Sequence, residues 1–159
     1  MGWWDCNVYG GDTPWDYLGE IAELIGYKDR KMNYHSLVGV EGWDAEEKLK
    51  VCKKLERNFR KVLDRGESMK YQDEVFWQVL AQLILDVGAK FPQDLRYKCI
   101  KMCLTDEWAM EGEHHRQQEM ARLAHDITFY KDGEPKPWTS DTSQFKTYME
   151  YLKEIVQTS

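Results

Sequence analysis

Apolar positions recur at spacings of three and four along most of the chain and almost nowhere alternate, so the pattern predicts helices rather than strands. Trp15, Leu18, Ile21, Ala22 and Ile25 form the first such run. Thr13 reads as its N-cap, Pro14 as its first residue, Asp16 as the carboxylate that answers the cap, and Gly26 as its end. A second run starts at Asp44, with Glu47 at its third position. Its stripe is Leu49, Cys52, Leu55, Phe59 and Val62, with Leu63 beside it, and Asp64-Arg65-Gly66 closes it. The densest segment is Tyr71 to Lys90, apolar nearly all round, which predicts a buried central helix. A buried strand over Val79–Leu85 is the alternative, and the length of the whole segment argues against it.

Pro92 starts a shorter helix with Leu95, Cys99, Ile100, Cys103 and Leu104. Thr105 or Asp106 then caps another that runs through Trp108, His115, Met120, Leu123, Ala124 and Ile127, or the two are one helix with a break. Ser140 or Asp141 caps a last helix carrying Phe145, Tyr148, Met149, Leu152, Ile155 and Val156. Residues 1–11 read as irregular, Tyr27–Gly42 as a long loop, and 131–139 as a linker before the last helix, with Lys131-Asp132-Gly133-Glu134-Pro135-Lys136-Pro137 the clearest turn in the chain. The expected fold is all-α: one domain over 1–159, about five or six helices packed around 71–90, with an irregular Trp-rich leading segment.

Charge narrows the function classes. A formal net charge of −6 argues against non-specific nucleic-acid binding and against an acidic membrane surface. The longest apolar run, Val79–Leu85, is interrupted by Gln82 and is far too short to span a bilayer. The opening residues lack a signal-peptide pattern, which makes the cytoplasm the expected location. Cys6, Cys52, Cys99 and Cys103 then read as free thiols. Met1-Gly2 invites N-myristoylation, but Cys6 stands where Ser or Thr is wanted.

No complete catalytic or metal motif is present. Glu111 and His114 form a Glu-x-x-His, which on a helix places both groups on one face as in di-iron bundles. Such sites need two copies and two more carboxylates, and here there is one copy, so a solvated acidic face is the plainer reading. Cys99 and Cys103 with His114 or His115 could offer zinc ligands, yet both cysteines sit at core positions. Cys103 with His114 is a nucleophile pair on paper only, because acidic neighbours would raise the thiol. Gly10-Gly11-Asp12-Thr13 before a helix could hold an anion, but Asp12 and Asp16 already bring negative charge there. No catalytic residue and no cofactor is therefore expected. A basic face over 45–65 (Lys50, Lys53, Lys54, Arg57, Arg60, Lys61) is the one nucleic-acid signal, and Glu46, Glu56 and Asp64 on the same helix can neutralise much of it.

The aromatic residues are the stronger lead. Trp3, Trp4, Trp15, Trp43 and Trp138 lie near loops or helix starts, where they either staple loops to the core or form a protein-binding surface. Met1-Gly2-Trp3-Trp4 followed by Gly10-Gly11-Asp12-Thr13-Pro14, and later Asp106-Glu107-Trp108-Ala109 with Tyr130-Lys131-Asp132-Gly133-Glu134-Pro135, resembles a family of small proteins of tailed phages and bacteria, a domain of unknown function. The resemblance covers the first quarter of the chain and residues 106–135. It implies a phage-encoded accessory protein acting in the host cytoplasm and carries no catalytic residue. Three function classes follow. The leading one is a non-enzymatic accessory protein that binds and modulates a host protein such as a defence component. The others are a small metal-dependent hydrolase using Glu107, Glu111, His114 and His115, and a nucleotide or nucleic-acid binder using the basic helix. A host protein is the expected partner; a membrane or nucleic acid is not.

Overall fold

A computed structural model of the chain describes residues 8, 9, 11–27, 45–70 and 73–138. These form seven helices and no strand, so the all-α expectation holds. Trp3, Trp4, Cys6 and Trp43, most of the expected 27–42 loop and the expected last helix lie outside the described residues.

Helix α1 (Asp12–Leu24) begins two residues ahead of the expected start. Gly11, extended at φ −168°, occupies the cap position with no side chain bonding there. Thr13 is thus a buried first-turn residue, not the cap. Pro14 is still harmless, because first-turn N–H groups have no helical partner. The predicted stop is confirmed in detail. Gly26 has φ +107°, its N–H reaches Glu23 O at 3.1 Å, and Tyr27 N–H reaches Ala22 O at 2.9 Å, the paired closing bonds of a left-handed helix end.

The expected single helix over 44–66 is two: α2 (Ala45–Arg57) and α3 (Phe59–Glu67). The break has a cause in Asn58. Its side-chain amide donates to Lys54 O at 2.9 Å and to Ile25 O at 3.4 Å, competing with the helical ladder and fastening it to the end of α1. Gly66 does not close the helix; it lies inside α3, where an added Cβ would stand 2.5 Å from Trp77 Cζ2 and 2.7 Å from Phe76 Cε1. The glycine is what lets α3 approach the central helix.

That helix, α4 (Asp73–Val87), is buried on every side, and α1, α2, α3, α5 and α7 pack on it. Pro92 caps α5 (Gln93–Leu104) as predicted, and Cys99 and Cys103 are fully buried free thiols. The expected run from 106 to 127 is interrupted. Asp106 does cap a helix, its carboxylate accepting Ala109 N–H at 2.9 Å, but α6 (Glu107–Met110) is a single turn. Gly112 at φ +100° then redirects the chain, and Glu113 caps α7 (His114–Phe129). His115, expected on the buried run, is exposed.

The segment read as a linker is strapped to the bundle over 131–138. Gly133 N–H donates to Gly88 O at 3.1 Å and Lys136 N–H to Leu85 O at 2.7 Å. Asp132 Oδ1 accepts Phe91 N–H at 3.0 Å and Arg96 Nη2–H at 2.8 Å. Gly88, at φ +76°, ends α4 directly beneath Pro135, whose ring a Cβ there would meet at 2.9 Å. The strap thereby covers the carboxyl end of the central helix.

Candidate functional site

Gln78, Gln82 and Asp86 lie four residues apart, which aligns them on one face of α4. Facing them are Arg116, Glu119, Arg122 and Asp126 of α7 and the cap residue Asp106, and none of these eight residues is more than 4% exposed. Charge in a core is tolerated only when it is paired and hydrogen-bonded. Two relays of the same design meet that condition. Arg116 Nη2 donates to Gln78 Oε1 at 2.8 Å, and Gln78 Nε2 donates to Asp106 Oδ2 at 3.0 Å. One helical turn along, Arg122 Nη2 donates to Gln82 Oε1 at 2.9 Å, and Gln82 Nε2 donates to Asp86 Oδ1 at 2.9 Å.

The relays end differently. Asp106 is gripped by its own arginine, through Nε at 3.2 Å and Nη2 at 2.9 Å. Burial pushes its carboxyl up, but the Arg116 bonds and charge outweigh that and hold it below the usual range. Arg122 is held by two other carboxylates, Glu119 at 2.8 Å and Asp126 at 2.8 Å. Burial opposes the charge on Arg122, and these two anions more than restore it. Asp86 receives only uncharged donors, and burial pushes it up to about 6 despite them.

Those donors belong to the two chain segments that meet here. Tyr9 Oη–H donates to Asp86 Oδ2 at 2.7 Å, and Trp138 N–H donates to Asp86 Oδ1 at 3.0 Å. On Glu119, one oxygen, Oε2, accepts both Val8 N–H at 2.7 Å and the Trp138 indole N–H at 2.9 Å. Each carboxylate thus bridges the leading segment to the strap. The pair forms a clasp that fastens residues 8–9 and 138 side by side on the bundle. Chemically it is closed: its oxygens are committed to protein donors, and the Tyr9 hydroxyl is held protonated by burial and by Asp86.

The residues nominated from sequence are dispersed. Glu111 ends α6 and His114 begins α7, so the Glu-x-x-His does not share one helical face. Glu107 and Glu111 line a cavity of about 330 Å³ with Trp108, while His114 and His115 are exposed on the first turn of α7. Among the described residues no group of three His, Cys, Asp or Glu is placed to hold a metal ion, and no helix is long and apolar enough to cross a membrane. Burial raises the thiols of Cys99 and Cys103, which removes nucleophilic character.

Lys50, Lys53, Arg57, Arg60 and Lys61 are exposed as expected. The break at Asn58 divides them between two helices, and Arg60 is taken by Asp64 at 2.6 Å and Glu67 at 3.1 Å. Leu49, expected in the core stripe, is 53% exposed at a groove of about 670 Å³ beside the strap. Trp15 is half-buried in α1, and Trp138 is half-buried with its indole nitrogen turned to Glu119.

The charged layer itself escaped the sequence reading. Its signal was a line of polar residues every fourth position through a segment otherwise apolar all round, answered by Glu119, Arg122 and Asp126 at spacings of three and four. Comparison with protein-family models, with curated proteins and with solved structures finds no match, and the reading of this site rests on its own residues.

Proposed function

We propose that the protein is a non-enzymatic accessory factor that binds a protein partner through its leading aromatic residues, with Trp3 and Trp4 as the anchors. The observation that carries this reading is the shared acceptor Glu119 Oε2, which fastens Val8 and Trp138 together on a rigid bundle. Trp3 and Trp4 stand five and four residues ahead of Val8 in the sequence. A rigid seat lowers the ordering cost that a binding segment pays, and tryptophan supplies large contact area with one polar atom. Trp138 serves the seat, since its polar atom is already used. The buried acid–base groups of the clasp are consumed in internal bonds, and Glu107, Glu111, His114 and His115 do not converge on one helical face, which fits a binding role better than a hydrolytic one. The resemblance of the first quarter of the chain and of residues 106–135 to small proteins of tailed phages and bacteria makes a host protein in the bacterial cytoplasm, such as a defence component, the natural partner.

The test uses untagged protein in bacterial lysate, followed by titration of the purified captured protein against the wild type and a Trp3→Ala/Trp4→Ala variant. The expected result is a stoichiometric complex that the double substitution weakens at least about a hundredfold, as for paired aromatic hot spots, with unchanged thermal stability. No stoichiometric partner, or binding indifferent to both tryptophans, overturns the reading.

A further inference from the structure

The clasp contains more negative than positive charge. Glu119 and Asp126 hold one guanidinium, that of Arg122, which reaches Asp86 only through Gln82 and lowers its carboxyl only from a distance. A further cation, the Lys136 ammonium, lies 3.6 Å from Asp126 and is 40% exposed. His125 Nδ1 also approaches Asp126, at 3.5 Å. From the leading segment Tyr9 brings a neutral hydroxyl, and from α5 the buried Cys103 brings a neutral thiol. Asp86 therefore faces Tyr9, Gln82 and the Trp138 N–H, and among the described residues no cation touches it.

We propose that the clasp is proton-linked: its closed form binds a proton on Asp86 more tightly than its open form does, so that opening, which frees residues 8–9 and 138 as one unit, releases any proton bound there. The geometry accommodates both protonation states. Gln82 and Trp138 donate to Oδ1 throughout, while the proton sits on Oδ2 and the Tyr9 hydroxyl, which can accept as well as donate, turns to receive it. Opening lets water reach the carboxylate, and the proton is lost.

The sign follows from linkage. In the closed form the Asp86 carboxyl is pushed up to about 6 by burial, against an ordinary value of 3.8. Closure is favoured in full below the ordinary value, and the advantage is lost as pH rises through about 6.

Amide exchange of Val8 and Trp138, followed by NMR on the full chain without any partner, reads the opening directly. Protection factors at the two amides are expected to be equal and to fall together, about twentyfold between pH 4.5 and 6.5, then level off. In Asp86→Asn the slope is expected to vanish, with protection held at the acid-side level. A titration of the Asp86 carboxyl carbon in the wild type gives a second reading independent of any variant, with a midpoint expected near 6. Separate openings at the two amides, an unchanged slope in Asp86→Asn, or a carboxyl midpoint near 4 overturns the proposal. The partner plays no part in these measurements, so their failure is distinct from failure of the binding reading.

Discussion

Arg116 and Arg122 lie six residues apart on α7, each donating to a glutamine that passes a hydrogen bond to an aspartate. The two relays look alike and behave oppositely. Arg116 also reaches the aspartate at the end of its relay, so charge cancels within the triad and Asp106 is held low. Arg122 spends its ion pairs on Glu119 and Asp126, so Asp86 has only uncharged donors, feels the Arg122 charge from a distance, and is raised by burial. In a low-dielectric interior, whether a cation touches the carboxylate or stops one residue short decides the direction of the shift. The first relay locks α4 to α6 and α7 and is spent on the fold. The second has acceptor capacity left over, and that capacity holds the leading segment and the strap.

Removing the arginines tests the contrast most severely. Arg122→Met leaves Glu119 and Asp126 buried without their cation, and a loss of about 4 kcal/mol or more in unfolding free energy is expected. Arg116→Met strands Asp106 alone, which keeps the Ala109 N–H and the Gln78 amide as donors, and about 3 kcal/mol is expected. Urea unfolding of both variants at neutral pH provides the comparison. A larger loss from Arg116 would show that Arg122 is the less committed of the two.

Neutral isosteres at the aspartates should differ in sign. Asp106→Asn removes the anion on which Arg116 relies and is expected to cost about 2 to 3 kcal/mol at pH 7. Asp86→Asn keeps an acceptor for Gln82 and Trp138, can donate to Tyr9 and removes a buried charge, so no loss and a gain of up to about 2 kcal/mol are expected. The pH profiles separate them further. Asp86 has a raised carboxyl, so its favourable contribution is complete below 3.8 and is lost as pH climbs through about 6. Asp106 has a lowered one, so its contribution is complete above 3.8 and is lost as pH falls through its folded value. Thermal melts from about pH 3 to pH 8 should show Asp86→Asn gaining on the wild type between about pH 4 and pH 6. The deficit of Asp106→Asn should shrink only under acid conditions.

These relays mark where sequence reasoning stopped. Local chemistry was legible: Gly26, Pro92 and the Asp106 cap each do what their side chains dictate within a turn of themselves. Interruptions were not, because they depend on distant partners. Asn58 breaks a helix partly by reaching Ile25 O, thirty-three residues away, and Gly66 looks like a terminator until Trp77 is seen lying against it. The charged layer was hidden for a third reason. Glu119, Arg122 and Asp126 carry no motif and drew no reading from sequence, and only the opposing Gln82 and Asp86 show that their face points inward. Tyr9 holds the leading segment through a contact seventy-seven residues away in sequence, which no local pattern announces.

Smaller changes sharpen the asymmetry without breaking the layer. Tyr9→Phe deletes the donor on Asp86 Oδ2 while keeping the ring in place. A loss of about 1 to 1.5 kcal/mol is expected at pH 7, where the hydroxyl donates to a charged carboxylate, and less at pH 5, where it only accepts from a neutral carboxyl. Equilibrium unfolding at the two pH values measures the difference.

Lys136→Met probes the weakest link and the one that bears most directly on charge balance. The ammonium lies 3.6 Å from Asp126 but is 40% exposed, so water and salt screen it and its own pairing is worth less than about 0.5 kcal/mol. Its removal nonetheless leaves Arg122 to face three carboxylates without that help, which should move the Asp86 midpoint upward. Little change in unfolding free energy, together with a higher carboxyl midpoint that 1 M salt erases in the wild type–variant comparison, is the expected pattern. A midpoint unmoved by Lys136→Met would mean that Arg122 and the neutral donors alone set the protonation of the clasp, and that the strap contributes backbone bonds to it but no charge.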